Sequence, residues 1–531
     1  MNSTLQTPVS LRPTPIWGRI EVLWLLMAPL CALLFALCLP LAPNDLWYHV
    51  RAGEFIARGA IPSQNGMSLA VPLETPYYYQ SWLAQLWLYL TLRFWGLSGL
   101  MLLRGFALAA TLFLVVAATF RRLSRLENSP SPLLAARLTA LCAILGFAIA
   151  SNNVDLRPQT FSTLFFGAWI FAVGEFRATS GSKQRLWGAF LIFLTLVWAN
   201  THGAFAISIL GLGALAVGDL IARQPRAKIS LAVAAASFAV VTLNPRGLGL
   251  YVYVAQLSNN DIGQRFIQEW KSPGLNEWHG ALFWMLGVGI LMWILARRSA
   301  KPLDCGETLT FLLFLVMGAR DQRAMIWFAL WMIPILALLM APKDASIALN
   351  PTVPPRGAAA INAILLGFLL LLPMAFFPRI KPLWPWPSEF TGRFAPTPQI
   401  TFPGDPPLLL DKTTAALPAA WLLKHPPRAR LFTDMVCGSY LTWATHPEVR
   451  PWCDPRIELF STSFWEDYLR ISAGPEGVAR ELEKRGFSDA LLDRENQSGL
   501  VKRLKEDPHW EIMAQNGTTI LFRSQNFVLN G

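Results

Sequence analysis

Charged residues are scarce in this sequence: Asp, Glu, Lys and Arg make up 15% of 531 residues, against about 25% in an ordinary soluble domain. That excludes a conventional soluble globular chain. Histidine is rare, at six, and the six cysteines form no CxxC pair and no metal-ligand spacing. A zinc domain and a dense disulfide scaffold are therefore excluded. No segment recurs at a fixed period and no inverted pair of halves is visible, which counts against solenoids and repeat-built transporters. Acids are the scarcer charge, 33 against 45 basic residues, for a net +12. The basic residues lie in short loops between apolar runs, with no basic, aromatic-interleaved motif for nucleic acid. They read as topology signals and as contacts for anionic lipid headgroups.

What the sequence does have is apolar length. Hydrophobic residues make up 53%, mean hydropathy is +0.39, and there are 22 Trp and 33 Phe. These values predict a polytopic α-helical membrane protein. Spans are expected near 21–40, 97–120, 136–150, 160–176, 186–200, 204–220, 229–243, 280–296, 307–319, 324–341 and 358–377, about eleven in all. The first is too long for a signal-peptide core and lacks a clear cleavage site, so it is expected to stay as an anchor.

Loop charge then sets orientation. A cytoplasmic N-terminus puts Arg12, Arg19, Arg121, Arg122, Arg125, Arg137, Arg177, Lys183, Arg185, Arg223, Arg226, Lys228, Arg297, Arg298, Lys301, Lys343 and Arg356 inside. Only Arg51, Arg58, Arg157, Arg246, Arg265, Lys271, Arg320 and Arg323 are left outside, as the positive-inside rule asks. Counting Ser81–Trp95 as a full span would invert every later loop. It is read instead as a juxtamembrane helix at the outer surface, with Gly96–Gly99 turning the chain into the next span.

The expected organisation is a transmembrane domain over 1–377, with a first outer loop at 41–80 and juxtamembrane helices up to about 96. A linker follows at 378–410, carrying nine prolines between Pro378 and Pro407. Residues 411–531 are expected to form an extracytoplasmic α/β domain with a largely parallel sheet. Its strands are placed at 429–435, 449–460, 488–494, 510–516 and 518–524, and its helices at 438–446, 466–486 and 499–508. Cys437 and Cys453 fall near the ends of two expected strands and are disulfide candidates in an oxidising compartment.

Five polar clusters fall on the expected outer side, each at a span end. They carry Asp45, His49, Arg51 and Glu54; Asp155, Arg157 and Gln159; Asn200 and His202; Arg246, Glu269 and Lys271; and Arg320, Asp321 and Arg323. Charge at membrane depth is costly and marks functional cavities. If Leu46–Arg58 is helical, Asp45 and His49 share a face one turn apart. A carboxylate there can take the proton of an acceptor hydroxyl. Guanidinium groups can neutralise a departing phosphate. Each feature also has a structural reading. Asp45 suits a helix N-cap, Glu54–Arg58 an i,i+4 pair, Arg246 a turn, His202 a helix end, and the remaining charges ion pairs closing span ends.

With these motifs in view, the chain resembles the GT-C superfamily of membrane glycosyltransferases, in particular the protein O-mannosyltransferase and lipid A aminoarabinose transferase branch. That branch opens its first outer loop with an acidic pair followed by a tyrosine, and Asn44, Asp45 and Tyr48 occupy those places. It is most similar to a bacterial GT-C-like group with D-x-W-W-H, RPQ, N-x-H-G, NP-x-G and EW-x-SP motifs, matched at 45–49, 157–159, 200–203, 244–247 and 269–273. The resemblance implies inverting transfer of a hexosyl or pentosyl unit from a polyprenyl-phosphate donor on the outer face of a bacterial inner membrane. Asp45 and His49 would be catalytic. Arg51, Asp155, Arg157, Gln159, His202, Arg246, Glu269, Arg320, Asp321 and Arg323 would bind substrate. Some relatives use a divalent metal at the acid pair. Asn44 stands where the first acid belongs, so no metal ligands are assigned. Two other readings stay open, a non-catalytic GT-C-like scaffold or binding protein and a transporter.

Overall fold

The computed structural model describes residues 15–258, 261–296, 303–342, 357–395 and 405–527. Arg12, Arg297, Arg298, Lys301, Lys343 and Arg356 of the expected cytoplasmic set lie outside the described residues, as does 396–404 of the expected linker. The apolar part opens with α1 (Ile20–Cys38), the short α2 (Leu46–Ala57) and the long α3 (Trp82–Ser124). Next come α4 (Pro132–Ala150), α5 (Pro158–Ala178), α6 (Gly181–Thr201), α7 (Ala206–Ile221) and α8 (Ala227–Val240). The connecting helices α9 (Gly249–Ser258) and α10 (Asp261–Phe266) lead to α11 (Trp278–Ala296), α12 (Cys305–Arg320), α13 (Met325–Met340) and α14 (Ala358–Met374). A single turn, α15 (Ser388–Thr391), follows.

Each of the apolar segments expected to span lies on a helix. Six stretches among the described residues meet a length-and-hydropathy threshold for crossing a membrane, and two shorter apolar helices accompany them. Helix α13 is apolar all round and buried from Met325 to Leu339, the signature of a helix enclosed by its neighbours. It packs on α4, α12 and α3 at the centre of the largest apolar core.

The helix expected at Ser81–Trp95 forms, and it is continuous with the apolar helix behind it except at one residue. Gly96 has φ 62 and ψ −162, which breaks α3 into Trp82–Trp95 and Leu97–Ser124. Only glycine takes this backbone without strain, and a Cβ there would sit 2.8 Å from the Asp405 carboxylate. That carboxylate accepts from Leu97 N–H at 2.8 Å and Ser98 N–H at 3.4 Å, capping the span from the far side of the expected linker.

The C-terminal part contains α16 (Ala416–Lys424), β1 (Arg430–Thr433), α17 (Met435–Ala444), α18 (Thr462–Ser472) and α19 (Val478–Lys484). It ends with β2 (Phe487–Asp493), α20 (Ser498–Glu506), β3 (Trp510–Asn516) and β4 (Thr519–Ser524). The sheet order is β1-β2-β4-β3, and only β1–β2 is parallel. This corrects the largely parallel expectation: a two-residue loop, Gly517-Thr518, with Gly517 at φ 52, is of the glycine-first hairpin kind and turns β3 directly into antiparallel β4. Residues 449–460 form no strand, because Pro451 and Pro455 interrupt them and Ile457–Leu459 is a 3-10 turn. The helix expected at 466–486 is broken at Gly474-Pro475 into α18 and α19.

The two parts share a core. Leu33, Leu37, Leu97 and Leu100 of the apolar helices cluster with Leu409, Ala416, Tyr440 and Leu521. A parallel bridge joins Leu41 to Leu410, with Leu41 N–H donating to Leu409 O at 2.7 Å. Helix α17 packs against α2, so the sheet domain covers the segment that carries Asp45 and His49.

Candidate functional site

Helix α2 is held between the two parts of the chain. Towards α3, Gly53 approaches so closely that a Cβ would lie 2.0 Å from Gln85 O. Towards α17, the Trp47 ring stacks on Trp443 at 4.5 Å and meets Tyr440 edge-on at 5.2 Å. This fixes the rotation of α2 and with it the direction of Asp45. Asp45 occupies the N-cap position, yet its side chain caps nothing. Among the described residues its carboxylate accepts no hydrogen bond, and its nearest cation is Arg157 Nη1 at 3.9 Å.

Around that carboxylate the separate clusters meet. Arg157, buried at the start of α5, donates from Nη2 to Glu269 Oε2 at 3.0 Å and to Asn153 Oδ1 at 2.6 Å. Arg323 lies 3.5 Å from the same Glu269 oxygen, reaches Gln159 Oε1 at 3.4 Å and lies over the Trp270 ring at 5.6 Å. Two guanidiniums thus share one carboxylate beside an uncapped one. Arg157 Nε is buried and has no partner among the described residues, so the site retains an unmet donor. Asn44 donates to Asp155 Oδ2 at 2.7 Å. The amide that replaces the expected first acid therefore ties down the next acid.

Burial sets the protonation of the groups outside the spans. It pushes the Asp45 carboxyl above its ordinary range, against the pull of Arg157 and Arg323. Burial also pushes Glu269 up, but Arg157 and Arg323 outweigh it and Glu269 titrates below the usual range. His49 is held well below its ordinary pKa by burial, then by His202 and Arg157, so it is a neutral imidazole at pH 7. Its Nδ1 meets Gln85 Nε2 at 3.0 Å. His202 Nδ1 lies 2.9 Å from Ser162 Oγ, which also accepts from Trp198 Nε1 at 2.7 Å.

Asp45, His49, Asp155, Arg157, Gln159, His202, Glu269 and Arg323 are thus brought to one place. Four other residues expected to bind substrate are not. Arg51 turns away towards α17, donating from Nε to Thr442 O at 3.1 Å and from Nη2 to Trp443 O at 2.6 Å and His446 O at 3.3 Å. Arg320 is exposed and donates to Ser258 O at 2.9 Å. Asp321 caps the Gln322–Ala324 turn by accepting from Ala324 N–H at 2.8 Å. Arg246 belongs to a neighbouring aromatic group, 4.3 Å from the Tyr78 ring and 4.8 Å from that of Tyr253. Glu458 joins that group from the C-terminal domain. Neither Glu458 nor Tyr253 carries a sequence signal, since the residues are 205 apart in the chain.

Cys437 and Cys453 are buried free thiols, not a disulfide. Cys453 Sγ points to Thr433 O at 3.5 Å, while Cys437 sits in the first turn of α17. No group of three or more His, Cys, Asp or Glu side chains among the described residues could hold a metal ion. Asp45 faces Arg157 and Asp155 is taken by Asn44, so the donor set does not suit a divalent cation.

No protein-family model matches the sequence, and no curated protein matches it in sequence. Solved structures do match. The aminoarabinose transferase ArnT from Cupriavidus metallidurans, bound to undecaprenyl phosphate, aligns over 97% of this chain and 98% of its own, with TM-score 0.51 and 13% identity. The oligosaccharyltransferase of Archaeoglobus fulgidus in its apo form aligns over 96% of this chain and 75% of its own, with TM-score 0.51 and 15% identity. Both are membrane enzymes of GT-C type, and likeness at this identity speaks to the fold. The chain is a multi-pass helical membrane protein with a GT-C fold and a C-terminal sheet domain.

Proposed function

We propose that this chain transfers a sugar from a polyprenyl-phosphate-linked donor to a hydroxyl-bearing acceptor. The observation that carries this reading is the uncapped Asp45 carboxylate, 3.9 Å from a buried Arg157 that shares Glu269 with Arg323. Asp45 accepts the proton of the acceptor hydroxyl as that oxygen bonds to the anomeric carbon. The bond from the anomeric carbon to the phosphate oxygen breaks on the opposite face, and polyprenyl phosphate leaves. Arg157 and Arg323 meet the charge that grows on the leaving phosphate. Glu269 holds the two guanidiniums together until then. His49 stays neutral and acts as a positioning residue beside Asp45. No step is routed through a metal.

The transferred unit is a hexosyl or pentosyl group, and the donor's polyprenyl tail lies among the apolar helices. The site end faces away from the cytoplasm of a bacterial inner membrane, with the N-terminus inside. The distribution of Arg121, Arg122, Arg125, Lys183, Arg185, Arg223 and Lys228 at the opposite helix ends supports this orientation.

The test is binding of undecaprenyl phosphate to the protein in lipid nanodiscs, read by native mass spectrometry. Arg157→Leu and Arg323→Leu should each weaken it on the order of tenfold, as expected for losing a charge-assisted contact. Unchanged affinity in the double variant would remove the arginines as phosphate holders and the reading with them.

A further inference from the structure

The C-terminal domain places one carboxylate inside the membrane domain's polar end. Glu458 sits on the Ile457–Leu459 turn. Its neighbour Arg456 is fully buried, bonded to Asp454 at 2.6 Å, to Asn65 Oδ1 at 2.6 Å and to Asn65 O at 3.0 Å. An ion pair taken wholly out of water is costly unless its hydrogen bonds are satisfied. Here they are met by the first long loop, which fixes the turn relative to that loop.

The turn presents Glu458 to two tyrosines. Tyr77 and Tyr253 both donate to the same oxygen, Oε1, at 2.8 and 3.0 Å. Glu458 is half-buried, and its Oε2 accepts no hydrogen bond among the described residues. The Arg246 guanidinium lies against the rings of Tyr78 and Tyr253, and its buried Nη1 has no hydrogen-bond partner among the described residues. Tyr48 links this group to the phosphate-side cluster, packing in one apolar cluster with Tyr77 and lying with its ring 4.0 Å from that of His49. Burial, and then the charges of Asp45 and Glu458, hold its phenol protonated. An open carboxylate oxygen, an unmet guanidinium donor and aromatic faces are the elements that hold a polyhydroxylated ring. The carboxylate and guanidinium take its hydroxyls, and the aromatic faces take its C–H surface.

We propose that Glu458 and Arg246, framed by Tyr77, Tyr78 and Tyr253, form the subsite for the sugar carried by the lipid phosphate. The C-terminal domain thereby takes part in choosing the donor. This rests on the donor reading above and deepens it. The sugar is joined directly to the phosphate, so a subsite one tyrosine away from Asp45 and Arg157 is where its hydroxyls fall.

The experiment compares binding of undecaprenyl phosphate and of undecaprenyl-phosphate sugars (a hexose, a pentose and an N-acetylhexosamine) to the full chain in nanodiscs. Wild type should prefer at least one sugar-bearing lipid over the sugar-free lipid. Glu458→Gln keeps the oxygen that Tyr77 and Tyr253 bond. It should lose on the order of tenfold in affinity for that preferred lipid and none for undecaprenyl phosphate. Arg246→Leu, as an independent variant, should do the same. A clamp with only a structural role would lower thermal stability in both variants and leave the preference intact, overturning the subsite. Equal binding of all lipids by wild type would also overturn it while leaving phosphate recognition standing. Failure to bind even undecaprenyl phosphate would fell the donor reading, and this one with it.

Discussion

Arg51→Ala separates two roles for one arginine: ligand of a phosphate, or fastener of the C-terminal domain. The side chain is buried, and its guanidinium caps the C-terminal end of α17 through the carbonyls of Thr442, Trp443 and His446. A cation at a helix C-terminus also meets the negative end of the helix dipole. Hydrogen bonds to a charged group contribute about 1.5–3 kcal/mol each. With two short bonds and one of 3.3 Å, removal should cost about 3–5 kcal/mol of docking. Glu54 keeps Arg58 as a partner and is not stranded. Lysine at position 51 reaches fewer carbonyls with one ammonium and should recover about half. Tryptophan fluorescence follows the transition directly, because Trp47 stacks on Trp443 across this interface. The alanine variant should melt on the order of 10 °C lower and release 411–531 to protease, with undecaprenyl phosphate binding retained at low temperature. Wild-type melting combined with lost lipid binding would refute the argument and return Arg51 to the donor site.

Three further outcomes follow from the same geometry. Asp45 must be ionised to take a proton, and burial raises its pKa against the pull of Arg157 and Arg323. Transfer should therefore fall as pH drops through a midpoint above 3.8. Arg157→Gln should move that midpoint up by about one unit or more. Two charges 3.9 Å apart interact by about 4 kcal/mol at an effective dielectric near 20, before solvent screening. A midpoint that stays put in a pH–rate profile would exclude Asp45 as the titrating group. In the sheet domain, burial raises Asp434 to about 6 from 3.8, so the folded state binds the proton more tightly than the unfolded one. Its cost is absent below pH 3.8 and complete above about 6, at most about 3 kcal/mol. Asp434→Asn keeps the N-cap and should gain stability relative to wild type at pH 7 but not at pH 4, a difference that chemical denaturation at the two pH values would reveal or deny. Cys437 and Cys453 should react with a maleimide only after denaturation, since burial pushes both thiols far up. Two sites blocked until reductant is added would restore the disulfide.

Apolar length and loop charge made the helices legible, down to the break at Gly96, because a membrane demands continuous backbone hydrogen bonding and glycine marks where it stops. The face shared by Asp45 and His49 also followed from periodicity. The same periodicity carries Arg51, two residues beyond His49, to the opposite side of α2, where Glu54 and α17 receive it. Grouping residues by proximity in the chain hid this. Asp321 looked like part of a charged motif, but its place before a short turn makes it a cap. The sheet was misjudged because alternation of strands and helices outweighed the two-residue hairpin loop at Gly517-Thr518. Glu458 and Tyr253 were invisible to sequence reasoning, since nothing local in either segment records that a 3-10 turn of one domain enters the polar end of the other.

The central claim, that Asp45 works on a lipid-linked sugar, meets its most direct test in reconstituted membranes. The purified protein in lipid would receive radiolabelled undecaprenyl-phosphate sugars and a host membrane extract as acceptor source, with Asp45→Asn run alongside. The account predicts label transferred by wild type and lost in the variant, whose fold and undecaprenyl phosphate binding remain intact. Equal transfer by both proteins would contradict it.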